Sequence, residues 1–99
     1  MSSLHLVNKG NQSSDALNLC RTALALNDSV LFIQDGCYNV LPGELEVLIE
    51  AFPEVTFHVL EPDLRARGLL NRRHPSVIMV DYNGFVELTE QHNPVLSWY

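Results

Sequence analysis

A chain of 99 residues with a formal net charge of −6 and 46% hydrophobic residues has the length of one domain, residues 1–99, and an ordinary globular composition. The negative charge disfavours non-specific binding to nucleic acid, and no apolar run approaches the roughly 20 residues of a membrane helix. Met1-Ser2-Ser3-Leu4-His5 lacks the charged and apolar regions of a signal peptide, so the expected compartment is the cytoplasm.

Residues 4–8 read as a first strand, ending at Lys9-Gly10-Asn11. Ser13 or Ser14 then caps a helix running through Leu26, with Ala16, Leu17, Leu19, Cys20, Ala23, Leu24 and Leu26 on one broad apolar stripe. The run 30–34 is almost uniformly apolar between Asn27-Asp28-Ser29 and Asp35-Gly36. Such a run, without alternation, predicts a strand buried on both faces in the middle of a parallel sheet. One helical turn fits residues 37–41 before Pro42-Gly43. A second helix spans 44–52, where Leu45, Leu48, Ile49 and Phe52 share a face, and Pro53 stops it.

Residues 55–60 predict a third strand, and Glu61-Pro62-Asp63 opens a short helix that Gly68 ends. Residues 77–80 read as a fourth buried strand closed by Asp81. Asn83 is the candidate cap of a last helix on which Phe85, Leu88 and His92 share a face; residues 95–99 make a short fifth strand. Alternation of strand and helix with short connections predicts a three-layer α/β/α sandwich on a mainly parallel sheet of four or five strands.

No phosphate loop, GxGxxG, CxxC, HExxH or nucleophile elbow occurs, which disfavours a stand-alone enzyme. The histidines His5, His58, His74 and His92 are scattered; the two inside strands, His5 and His58, read as hydrogen-bonded structural residues. Asp35 and Asp81 each end a strand. They either face each other across a cleft or serve as turn and cap residues. Cys20 lies on the first helix's apolar stripe and reads as core. Cys37 looks more chemical: in the first turn of a helix capped by Asp35, backbone N–H groups would lower its pKa. Arg65, Arg67, Arg72 and Arg73 are either a solvated face or a surface for an acidic partner. Trp98 and Tyr99 are either tucked against the sheet edge or placed in an interface.

Several segments together resemble the DsrH/TusB family: Leu4-His5-Leu6-Val7-Asn8-Lys9, Val30-Leu31-Phe32-Ile33-Gln34-Asp35-Gly36, Asp63-Leu64-Arg65-Ala66-Arg67-Gly68, Asp81 to Thr89, and Trp98. The resemblance implies a small α/β subunit of a cytoplasmic sulfurtransferase complex, DsrEFH or TusBCD, with no cofactor and no metal. DsrE/TusD-like and DsrF/TusC-like subunits would complete a heterohexamer that passes persulfide sulfur to a downstream carrier protein. One branch serves sulfur oxidation and the other 2-thiolation of the tRNA wobble uridine, without tight direct binding of nucleic acid by this chain. The principal sulfur-carrying cysteine of such complexes belongs to the DsrE/TusD subunit. DsrH-like members carry a cysteine in the first helix, where Cys20 falls, and TusB-like members commonly lack it. The resemblance therefore marks Cys20 as the candidate persulfide carrier, leans towards DsrH, and gives Cys37, the weaker candidate, no role. The alternative is a purely structural subunit that completes the assembly.

Overall fold

The apolar run at 30–34 forms the central strand of the sheet. In the computed structural model, which describes residues 2–12 and 14–99, strand β2 covers Ser29–Phe32. It pairs in parallel with β1 (Leu4–Val7) on one side and with β3 (Thr56–Leu60) on the other. Beyond β3 lies β4 (Ile78–Val80), and beyond β1 lies β5 (Val95–Trp98), giving the order β4-β3-β2-β1-β5 with parallel pairing throughout. The connections carry α1 (Ala16–Ala23), a 3₁₀ helix (Gln34–Val40), α2 (Glu44–Ala51), α3 (Glu61–Ala66) and α4 (Tyr82–Gln91). This is the expected α/β sandwich, with five strands.

Strand order assigns the helices to faces. The steps from β1 to β2, β3 and β4 all move one way across the sheet, whereas the step from β4 to β5 returns to the far edge. Right-handed crossovers then place α1, the 3₁₀ helix, α2 and α3 on one face and α4 on the other. Packing agrees. The larger core joins Val7, Val30, Phe32, Phe57 and Val59 to Leu17, Cys20, Cys37, Leu45, Leu48 and Leu64. A smaller core joins Leu4 and Leu31 to Leu88, with Leu6, Ile33, Val80 and Phe85 against it. Alternate residues of β1 and β2 supply the two cores.

Local expectations change where the chain turns. α1 ends at Ala23, not Leu26: Leu24 is extended, Asn27 takes φ 67°, and the Asp28 carboxylate accepts the Ala25 amide at 3.1 Å. The apolar stripe is correspondingly narrow, with Ala16, Leu17 and Cys20 buried and Leu19, Ala23 and Leu26 exposed. At its start Ser14 Oγ accepts the Ala16 amide, while Ser13 lies outside the described residues. Asp81, not Asn83, caps α4, accepting the Gly84 amide at 2.7 Å. The fourth strand is not buried on both faces. As an edge strand it leaves Ile78 and Met79 exposed.

The 3₁₀ helix is pressed onto the end of β1. Ile33 N–H donates to the Val7 carbonyl and Gly36 N–H to the Ile33 carbonyl. A Cβ at Gly36 would stand 2.0 Å from the Val7 carbonyl oxygen, and no rotamer change relieves a backbone clash. In denaturant titrations Gly36→Ala is expected to cost about 1–3 kcal/mol or more. Gly10→Ala, where a Cβ meets nothing closer than 3.5 Å, should stay within about 0.5 kcal/mol.

His58 lies in β3 beside Leu31, on the α4 face, with Nδ1 3.3 Å from the Val30 carbonyl oxygen. Burial holds its pKa below the ordinary 6.5; the bond to Val30 opposes this and the nearby His92 adds to it. The unfolded chain therefore takes up a proton that the folded chain refuses. Stability from this source is complete above about pH 6.5 and declines as the pH falls below it. Urea titrations across that range should show the slope flattened by His58→Gln.

Candidate functional site at the carboxyl ends of the strands

Loops leaving the carboxyl ends of parallel strands gather at one edge of the sheet, where α/β proteins bind their ligands. Here the loops after β1 and β2 line an open cleft of about 850 Å³, with Gly10, Asn11, Tyr38, Asn39, Leu41 and Leu45 in its wall. Asn39 sews the two loops together. Its Nδ2 donates to the Lys9 carbonyl at 2.9 Å and its Oδ1 accepts the Asn11 amide at 2.8 Å. The wall is thus set by a buried side chain rather than by loose loops.

Beside the cleft, the turn out of β2 is held in an unusual shape. Gln34 has φ 51°, a left-handed backbone that costs a non-glycine residue about 1–2 kcal/mol. Asp63 of α3 holds it there, accepting the Gln34 amide at 2.7 Å. Arg67 completes the rim: Nε and Nη2 each lie 3.0 Å from Asp35 Oδ1, and Nη1 donates to the Asp63 carbonyl. Asp35 is more than half exposed, so the ion pair contributes below about 1 kcal/mol and chiefly orients the rim.

The structure separates the arginine cluster into individual duties. Arg67 meets Asp35, Arg65 meets Glu61 one helical turn back, and Arg73 Nε donates to the Val77 carbonyl. The two strand-end aspartates are likewise divided, Asp35 to Arg67 and Asp81 to the α4 cap, so they form no facing carboxylate pair. Arg72, the fourth of the cluster, is exposed.

Both cysteines point inward. Cys37 is 0% exposed because the 3₁₀ helix already begins at Gln34, which puts Asp35 inside it rather than at its cap and turns Cys37 into the core. The expected lowering of its pKa is reversed: burial pushes the thiol up to about 12, Arg67 pulls it down, and Asp63 and Asp35 push it up. Cys20, on the inner side of α1, is also 0% exposed and pushed up to about 12, by burial first and then by the Asp28 charge. At neutral pH both are therefore held as neutral thiols. Both are free thiols packed into the larger core. Among the described residues, no group of three or more His, Cys, Asp or Glu side chains could hold a metal ion.

One polar cluster escaped sequence reasoning. His5 Nε2 lies 2.8 Å from Asp28 Oδ2, and Trp98 Nε1–H donates to His5 Nδ1 at 3.1 Å across a separation of 93 positions. His5 is thus the hydrogen-bonded structural residue expected, and Trp98 is tucked against the sheet, its indole stacked in near-parallel fashion beside the imidazole. No short-range pattern links these residues; the pairing of β5 onto β1 brings them together.

Comparison with known proteins matches this arrangement to one family. A model described as DsrH like protein matches residues 10–95. Protein TusB of Serratia proteamaculans is 40% identical over 76 residues, covering 75% of this chain and 78% of that protein. Protein TusB of Pectobacterium parmentieri is 31% identical over 96 residues, covering 96% and 99%. Among solved structures, the ychN protein from E. coli superposes with a TM-score of 0.76 at 19% identity, covering 98% of this chain and 99% of that one. Protein Tm0979 from Thermotoga maritima gives 0.67 at 25% identity, covering 93% and 95%. The chain belongs to the DsrH-like family that includes the TusB proteins.

Proposed function

We propose that this chain is an assembly subunit of a sulfur-relay complex, contributing surface and shape while a partner subunit carries the sulfur. Family membership is the observation that carries this reading. The state of the thiols supports the division of labour. A persulfide carrier needs an accessible sulfur and an appreciable thiolate fraction, and Cys20 and Cys37 are both buried with pKa values near 12. The partners are DsrE/TusD-like and DsrF/TusC-like subunits in a cytoplasmic heterohexamer, with a downstream carrier protein as acceptor. The TusB relatives favour the branch that ends in wobble-uridine thiolation of tRNA over sulfur oxidation. With a net charge of −6, the chain leaves tRNA contacts to other members of the pathway.

A second reading keeps Cys20 as a persulfide carrier, on the strength of its place in the first helix. Co-expression with the two related subunits, followed by loading with a persulfide donor and peptide mass mapping, separates the readings. Alanine variants are the right probes, because a serine hydroxyl buried without a partner would itself cost about 1–3 kcal/mol. The expected result is one complex containing all three chains, in which Cys20→Ala and Cys37→Ala leave transfer intact. Added sulfur on Cys20, with transfer lost in Cys20→Ala, would make it a carrier. A chain that stays monomeric beside its partners would end the assembly claim.

A further inference from the structure

The polar cluster beneath α1 has one consistent set of protons. An indole nitrogen only donates, so the Trp98 bond requires a lone pair on His5 Nδ1. The proton of neutral His5 therefore sits on Nε2 and is given to Asp28 Oδ2. Asp28 is fixed as its acceptor: its carboxylate also receives the Ser3 amide at 2.9 Å and the Ala25 amide at 3.1 Å. Burial alone would raise the Asp28 pKa, but these amides and His5 hold it below the usual carboxylate range. Asp28 thus remains ionised through the range in which histidines titrate.

A second proton changes only one side of this chain of bonds. Imidazolium still donates to Asp28, now as a charge-assisted bond. At Nδ1, however, it presents N–H to the indole N–H, so two donors face each other with no acceptor between them. The titratable groups facing this pair are the Asp28 carboxylate, from the turn before β2, and the Cys20 thiol of α1, which feels the Asp28 charge. The neighbouring β5 supplies the non-titrating indole.

Trp98 is also the anchor of its strand. β5 is an edge strand, hydrogen-bonded to β1 alone, in which Val95, Leu96 and Ser97 are exposed and Trp98 is the half-buried residue. Trp98 packs against the larger core, and Tyr99 beyond it is 77% exposed. We infer that Trp98, His5 and Asp28 form a latch that holds β5 on the sheet and lets it go when His5 becomes doubly protonated.

The chain contains a single tryptophan, so its fluorescence reads the latch directly. The full chain is titrated with acid to the onset of global unfolding, following Trp98 emission, acrylamide quenching and the His5 ring by ¹⁵N NMR. The expected result is an Nε2–H tautomer at the high-pH end, then a red shift and greater quenching as His5 gains its proton. His5→Gln keeps an acceptor for the indole and a donor for Asp28 but has no proton to gain, so its profile should be flat. The latch is overturned if His5 charges while Trp98 emission keeps its wavelength, or if His5→Gln shifts as the wild type does. An Nδ1–H tautomer in neutral wild-type protein overturns it as well, and that measurement needs no variant to fold.

Discussion

A strand hydrogen-bonded along both edges and packed on both faces keeps no contact with water, and β2 is such a strand: Val30, Leu31 and Phe32 are all fully buried. Its neighbours on both sides must then be strands, and each face must be covered by helices. The rest of the architecture discharges these demands unequally. One face receives α1, the 3₁₀ helix, α2 and α3, while the other receives α4 and a core of far fewer side chains. The edges are short strands, β4 with Ile78 and Met79 in solvent and β5 held by its last residue, Trp98. The interior is closed around β2, and the periphery is where the molecule is least self-sufficient.

That asymmetry bears on function. The turn leaving β2 is the most constrained piece of backbone, held by Asp63 on Gln34, by Arg67 on Asp35 and by the contact of Gly36 with Val7. Constraint of this kind fixes a surface. It does not activate a thiol, and Cys37 lies directly under that turn with its sulfur turned to the core. A nucleophile needs access to solvent and an environment that favours the thiolate, whereas both cysteines are fully buried in the larger core. The Asp28 charge near Cys20 and those of Asp63 and Asp35 near Cys37 favour the thiol. On the proposed sulfur-relay reading, what the chain presents to its partners is a rigid rim and cleft.

Much of this was legible before the fold was known. The uninterrupted run at 30–34 identified the central strand, and the spacing of Leu45, Leu48 and Ile49 identified α2, because burial acts on each residue through its own hydrophobicity. The cap of α4 was misplaced by two residues, from Asp81 to Asn83, because both side chains can accept an orphan helix amide and only the backbone shows which one precedes the first turn. Orientation at special backbone positions was not readable. The left-handed Gln34 rotates everything after it, so a cysteine that spacing places at a helix start is delivered to the core. Nor was any signal available for the contact of His5 with Trp98, which depends on β5 joining the sheet beside β1 rather than beside β4. The family resemblance was carried by scattered short segments that the fold places on β1, on β2 and the turn after it, on α3, on α4 and at the end of β5.

Cys20 and Cys37 are core residues of this chain. The most direct measurement is the rate at which a thiol reagent reaches Cys20 and Cys37 in the folded chain as urea is raised. Core placement predicts that labelling of both requires an opening free energy equal to that of global unfolding measured on the same protein. Labelling of Cys20 through a local opening well below that value would contradict it, and would return that thiol to the sulfur path.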